Sequence, residues 1–228
     1  MKEKPPICFS AVSRHDLALQ LENCHISVPR KLSERTDLQR EWYTLRLGLM
    51  REIEKVPEGS IAIKKTESPD FILLFETESI GIEITELRGR NSGWAQAISE
   101  ENGIENPFIG GQSLSMKPTS RAELTEEMED GGSGLSGNLP EQHAVGCLTA
   151  RLQDKEQKVF SKDWEVCDRQ WLFVYNNFGF PGIDWDYVIA QTHLSETKSV
   201  FDTIVLVFER SETGNMTIKG NSYSRKLD

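Results

Sequence analysis

Ser68-Pro69-Asp70-Phe71-Ile72-Leu73-Leu74-Phe75, followed by Glu76-Thr77-Glu78-Ser79 and then Ile80-Gly81-Ile82-Glu83-Ile84-Thr85-Glu86, is the stretch whose reading decides the fold. Two runs rich in Ile, Leu and Phe flank four polar residues, which is the pattern of strand, turn, strand. Pro69 suits the position just before a strand, because proline has no N–H to give to a ladder. Asp70 then opens the first strand. In the second strand side chains alternate, so Ile82 and Ile84 point to one face while Glu83 and Thr85 point to the other. A carboxylate at position 83 therefore lies inside an apolar segment and needs a cation or donors beside it. Two acidic side chains on adjoining strands are also a pair of hard oxygen donors suited to a divalent metal.

Working outward, Thr36 and Gln39 form a capping-box pair, and Leu38, Trp42, Leu45, Leu49 and Ile53 recur at helical spacing. One amphipathic helix is predicted over 37–56, ending before Pro57-Glu58-Gly59, with a first strand at Ser60–Lys64. In the second half Ala144, Leu148, Leu152 and Val159 share one stripe of a helix predicted over 144–160, and Gln170–Tyr175 reads as a buried strand. Asp184–Leu194 is a weaker helix and Thr203–Phe208 a further apolar strand. The order is that of an α/β protein with a mixed central sheet flanked by helices. Residues 36–210 are expected to form the domain, with residues 1–35 a peripheral N-terminal segment and 211–228 a C-terminal tail. Residues 88–142, rich in Gly, Ser, Asn and Glu, read as a flexible insertion, either a flap beside the site or a segment without function. A short helix is expected within it at 94–101.

Lys155 falls inside an apolar stripe. At 100° per residue and relative to Leu148, Leu152 lies at about 40°, Val159 at about 20° and Lys155 at about −20°. Its ammonium is expected to reach toward the sheet, with Lys158 at the edge of the stripe. The alternative is a snorkelling lysine that lays its methylenes on the core and its charge in water.

Pro69-Asp70 with Glu83-Ile84-Thr85 resembles the signature of the PD-(D/E)XK, or restriction-endonuclease-like, nuclease superfamily, over roughly residues 36–210 without the insertion. The chain departs from the pattern at Thr85, which stands where the family has lysine. The resemblance implies an αβββαβ restriction-endonuclease-like core and a metal site in which Asp70, Glu83 and the backbone carbonyl of Ile84 hold Mg²⁺ or Mn²⁺. It implies a nuclease, a hydrolase of phosphodiester bonds, with catalytic residues Asp70 and Glu83 and a migrated lysine for which Lys155 is the candidate. Glu41, on the first predicted helix, is either a further ligand or a surface glutamate. The missing motif lysine leaves a second reading open, a catalytically silent nuclease fold that serves as a binding or assembly module. An unrelated α/β enzyme or scaffold is the third.

Composition bounds these readings. The 228 residues, 37% hydrophobic and 27% charged, suit one globular domain with an elaboration. No apolar run reaches the roughly 18 residues that cross a bilayer, and the first residues, with Pro5-Pro6, do not read as a signal peptide, so a cytoplasmic protein without membrane contact is expected. Cys8, Cys24, Cys147 and Cys167 form no C-x-x-C pair and are expected to be reduced thiols. The four histidines have no metal spacing, no serine sits in a nucleophile elbow, and the glycines of 131–137 lack the strand and the lysine of a phosphate loop. A net charge of −10 opposes a nonspecific grip on nucleic acid, DNA being the partner the resemblance implies. Arg88, Arg90, Lys155, Lys158 and Lys162 form local basic clusters, and the acids between Glu123 and Asp130 are expected to be solvated. The resemblance also allows a homodimer.

Overall fold

β1 (Ile7–Ala11), β2 (Ile61–Lys65), β3 (Phe71–Leu74), β4 (Ser79–Leu87), β5 (Arg169–Asn176), β6 (Thr203–Phe208) and the two-residue β7 (Tyr223–Ser224) lie side by side in that order in one sheet. The first four are antiparallel neighbours, β4, β5 and β6 are parallel, and β7 is antiparallel to β6. This computed structural model describes residues 7–24, 36–89, 91–103, 120–129, 137–161, 163–178, 182–192, 199–208 and 223–224. The connectivity explains the sheet. Short turns reverse the chain between β2, β3 and β4, the antiparallel β1 reaches β2 only through the long connection 12–60, and the parallel neighbours need crossovers that return to the same end.

One face of the sheet is covered by α1 (Arg14–Asn23) and α2 (Asp37–Arg51), which bury Leu17, Leu21, Leu45 and Leu49 against Ile61, Ile63, Phe71, Ile82 and Phe173. The capping box of Thr36 and Gln39 forms as the sequence predicts. The helix stops at Arg51 rather than 56, and a 3-10 turn at Ile53–Lys55 completes the segment. Gly48 is required where α2 crosses β5, since a Cβ there would lie 2.4 Å from a ring carbon of the buried Phe173. The other face is covered by α5 (Leu139–Val159) and α6 (Trp185–Gln191), packed on Leu87, Leu172, Val174 and Leu206. The mixed sheet flanked by helices is thus present, with β1 and α1 added ahead of the predicted elements, further helices between β4 and α5, and β7 after β6.

The structure differs from the sequence reading at further points. Residues 7–24, part of the 1–35 segment expected to be peripheral, belong to the fold: β1 pairs with β2 at the sheet edge, and Leu17 and Leu21 are core residues. Within the insertion at 88–142 the helix expected at 94–101 forms as α3 (Ser92–Asn102), and a second one that the sequence did not suggest, α4 (Arg121–Glu129), packs on it, the two burying Ala95, Ile98, Leu124 and Met128 while Glu123 and Glu126 are exposed. The helix predicted from 144 begins at Leu139, with Pro140 in its first turn, where a missing N–H costs nothing. Most of the glycine run (131–136), Arg90, Lys162 and all of the 211–228 tail except β7 lie outside the described residues. No described helix is long and apolar enough to cross a membrane. Cys24, Cys147 and Cys167 are free thiols.

Candidate functional site

The β3–β4 ladder pairs Phe71 with Ile82 and Ile72 with Gly81, so Asp70, one residue before β3, stands opposite Glu83. Strand alternation then puts both carboxylates on the face covered by α5. Ser68–Pro69 is a cis peptide bond just ahead of Asp70. Beyond Ile82 the β3 ladder ends, while β4 continues beside β5 as far as Leu87. Ile84 therefore has a backbone edge without a strand partner, and its N–H donates to Asp70 Oδ2 at 2.7 Å. The side chain of Asp70 takes the place of a ladder acceptor. The Ile84 carbonyl, on the same edge by strand geometry, shares that side.

Glu83 is fully buried, at 0% exposure. The counter-charge comes from α5: Lys155 Nζ and Lys158 Nζ each lie 2.7 Å from Glu83 Oε1. The other oxygen, Oε2, is buried without a hydrogen-bond partner among the described residues. Lys155 thus reaches the sheet as its place in the apolar stripe predicts, rather than only snorkelling. Burial works to lower the pKa of Lys158, but its hydrogen bond to Glu83 and the charges of Glu83, Asp70 and Asp154 outweigh it and hold the ammonium above its ordinary value.

Asp70 is 8% exposed, and burial followed by the charge of Glu83 pushes its carboxyl up to about 6. Its bond to Ile84 acts in the opposite sense, as does Lys65, while Glu41 adds to the rise. Lys65, the last residue of β2, lies 3.7 Å from Asp70 Oδ1 and 2.9 Å from Glu41 Oε2. Glu41 is therefore not a plain surface residue, since Lys65 ties it to the acid pair. Two contact groups, Lys65 with Glu41 and Asp70, and Glu83 with Lys155 and Lys158, thus lie side by side and act on each other through the charges of Asp70 and Glu83.

A cavity of about 230 Å³ opens where β4 runs past the end of β3, and Glu41, Ile84, Thr85, Glu86, Arg88 and Arg151 are among its lining residues. Thr85, in the place of the family lysine, is buried on the α5 face and offers only a hydroxyl. Among the described residues no group of three or more His, Cys, Asp and Glu side chains is arranged to hold a metal ion. The acid pair nevertheless has the donor chemistry for a hard cation: two carboxylates, an adjacent carbonyl, and a buried carboxylate oxygen without a partner among the described residues.

The sequence reading missed Lys65 and Arg151. Lys65 follows directly on the predicted strand and, in alternation with Ile63, could have been carried into it. Arg151 lies four residues before Lys155, at about −60° on the same helical projection, which is the edge of the stripe. Searches of this chain against protein-family models, curated proteins and solved structures find no match.

Proposed function

We propose that the protein is a metal-dependent nuclease of the restriction-endonuclease-like kind, acting on the phosphodiester bonds of nucleic acid, DNA first. The observation that carries this reading is the meeting of Asp70 and Glu83 on one sheet face with two lysines from the covering helix. Asp70, Glu83 and the Ile84 carbonyl would hold Mg²⁺ or Mn²⁺, and a cation there would acidify water and offset the charge that builds on a phosphodiester. Asp70 is oriented for this by the Ile84 N–H, which fixes one oxygen and leaves the other toward Lys65. Lys155, already 2.7 Å from Glu83, supplies a point charge and transferable protons beside the carboxylate, the service that Thr85 cannot give from the motif position. Water fills the remaining positions around a hard cation held by so few protein groups.

One observation favours the second reading, a catalytically silent fold that binds a partner. Both lysines bind Glu83 itself, so its charge is matched without a metal. A cleavage assay with Mg²⁺ and Mn²⁺ on single- and double-stranded DNA and RNA, run beside Asp70→Ala, Glu83→Ala and Lys155→Ala, separates the two. Metal-dependent cleavage lost in all three variants is expected. Calorimetry that detects no cation binding to the intact protein would remove the nuclease reading in favour of the silent one.

A further inference from the structure

The cavity beside the acid pair has a charge balance of its own. Among the acids that line it, Glu86 is bound by Arg40 at 2.7 Å and by the Asn177 amide at 2.6 Å, Asp37 is bound by Arg40, and Glu41 is bound by Lys65 at 2.9 Å. Among the described residues Arg88 is only loosely engaged, 3.9 Å from Glu86. Arg151 has neither an ion pair nor a hydrogen bond among the described residues, yet it is half-buried and lines the cavity. It is placed by α5: residues 151, 155 and 158 follow one another at i, i+4 and i+7, so Arg151 extends the row of cations that Lys158 and Lys155 form beside Glu83. Every acid in the cavity thus has a cation, whereas one guanidinium has no acid among the described residues.

We propose that this cavity is a binding site for a phosphate oxyanion, with Arg151 as its principal donor, Arg88 as the second and the Thr85 hydroxyl as a neutral one. A guanidinium presents paired N–H donors that match two phosphate oxygens, and a hydroxyl completes such a cradle without adding charge. The volume, about 230 Å³, admits a phosphate with part of a sugar. As a phosphate of a nucleic-acid strand, next to the one at the acid pair, the ligand deepens the nuclease reading and in that form rests on it. A free phosphate or a small phosphate ester carries the same chemistry without it.

The metal-free 228-residue chain, wild type and Arg151→Gln, is titrated with inorganic phosphate by heteronuclear NMR and with a single-stranded oligonucleotide at several salt concentrations. Arg151 has no intramolecular partner to lose among the described residues, and equal melting temperatures establish that the variant is folded. Arg151→Gln is expected to weaken phosphate binding by about ten-fold or more and to reduce the salt slope for the oligonucleotide by about 0.7, the loss of one phosphate contact. Arg151→Lys should keep the slope and lose part of the affinity. Phosphate binding that is lost in Arg151→Gln, with no oligonucleotide binding by either protein, leaves the phosphate site standing and removes the nucleic-acid reading. Wild type and Arg151→Gln that behave alike toward both probes overturn the proposal, whatever the cleavage assay shows.

Discussion

Asp70→Asn is expected to make the protein more stable near neutral pH, although it removes a residue central to the proposed site. Burial and the charge of Glu83 raise the Asp70 carboxyl from 3.8 to about 6. A carboxyl whose pKa is higher in the folded chain keeps its proton longer there than in the unfolded chain, so its ionisation favours unfolding. Its contribution to stability is complete below the unfolded value and is lost as pH rises through about 6. That displacement corresponds to a loss of about 3 kcal/mol by pH 8, of which about half has occurred by pH 5. Asparagine is neutral throughout and retains an oxygen for the Ile84 N–H, so the 2.7 Å hydrogen bond can persist. Urea denaturation of both proteins at a series of pH values from about 4 to 8 measures the difference directly. The variant should gain on wild type across this range, by roughly 2 to 3 kcal/mol in all. Parallel curves, with a constant offset between the two proteins, would refute the claim that Asp70 is held against its natural ionisation.

Glu83→Gln removes the second cause of that displacement, so the Asp70 carboxyl should titrate closer to the ordinary aspartate range; carbon-detected NMR of the side-chain carboxyl reads this, and a midpoint still near 6 would mean that the charge of Glu83 is not felt. Lys155→Ala combined with Lys158→Ala strips both cations from a fully buried carboxylate and should cost about 3–5 kcal/mol in chemical denaturation. Each single variant should cost well under half of that, because the remaining lysine still donates to the same oxygen; single costs that sum to the double cost would contradict a shared role. Gly48→Ala gains up to about 1 kcal/mol of helix propensity yet should still destabilise by a net of roughly 1–3 kcal/mol, because the Phe173 ring is buried and cannot swing away. Thermal denaturation checks the sign.

Where the chain's local pattern and its tertiary role agree, the fold is legible in the sequence. The hairpin stands out because Phe71–Leu74 and Ile80–Ile84 are apolar runs that no solvated loop would carry, and alternation puts Glu83 on the face opposite Ile82 and Ile84, the face that α5 covers in the fold. Thr36 and Gln39 mark a helix start by hydrogen-bonding chemistry that is local by nature. The segments that the sequence conceals take their order from distant partners. β1 is five residues with Cys and Ser among them and is held by its register on β2, while α1 buries Leu17 and Leu21 but leaves Leu19 exposed, so its apolar residues mark no clean stripe. α3 and α4 cover only four apolar side chains between them, which is too little to stand out in a Gly- and Glu-rich stretch. At the site the acids are legible because a charge in an apolar run is conspicuous. Arg151 and Lys65 are not, because a cation beside a polar neighbour is ordinary in sequence and becomes informative only when its partners are counted in space.

The position of β4, antiparallel to β3 and parallel to β5, also bears on the order in which the molecule assembles. Contacts close in sequence form first because their loops cost least to close, and those of the β2–β3–β4 meander are the closest in this sheet. In a chain that follows that order, Asp70 and Glu83 meet while the α5 face is still wet, and water screens their repulsion. Dehydration of the pair then coincides with the arrival of α5, which brings Lys155 and Lys158 with it. The helix that seals Glu83 from solvent is the one that neutralises it, so the folding route need never pass through a state with a bare charge in oil.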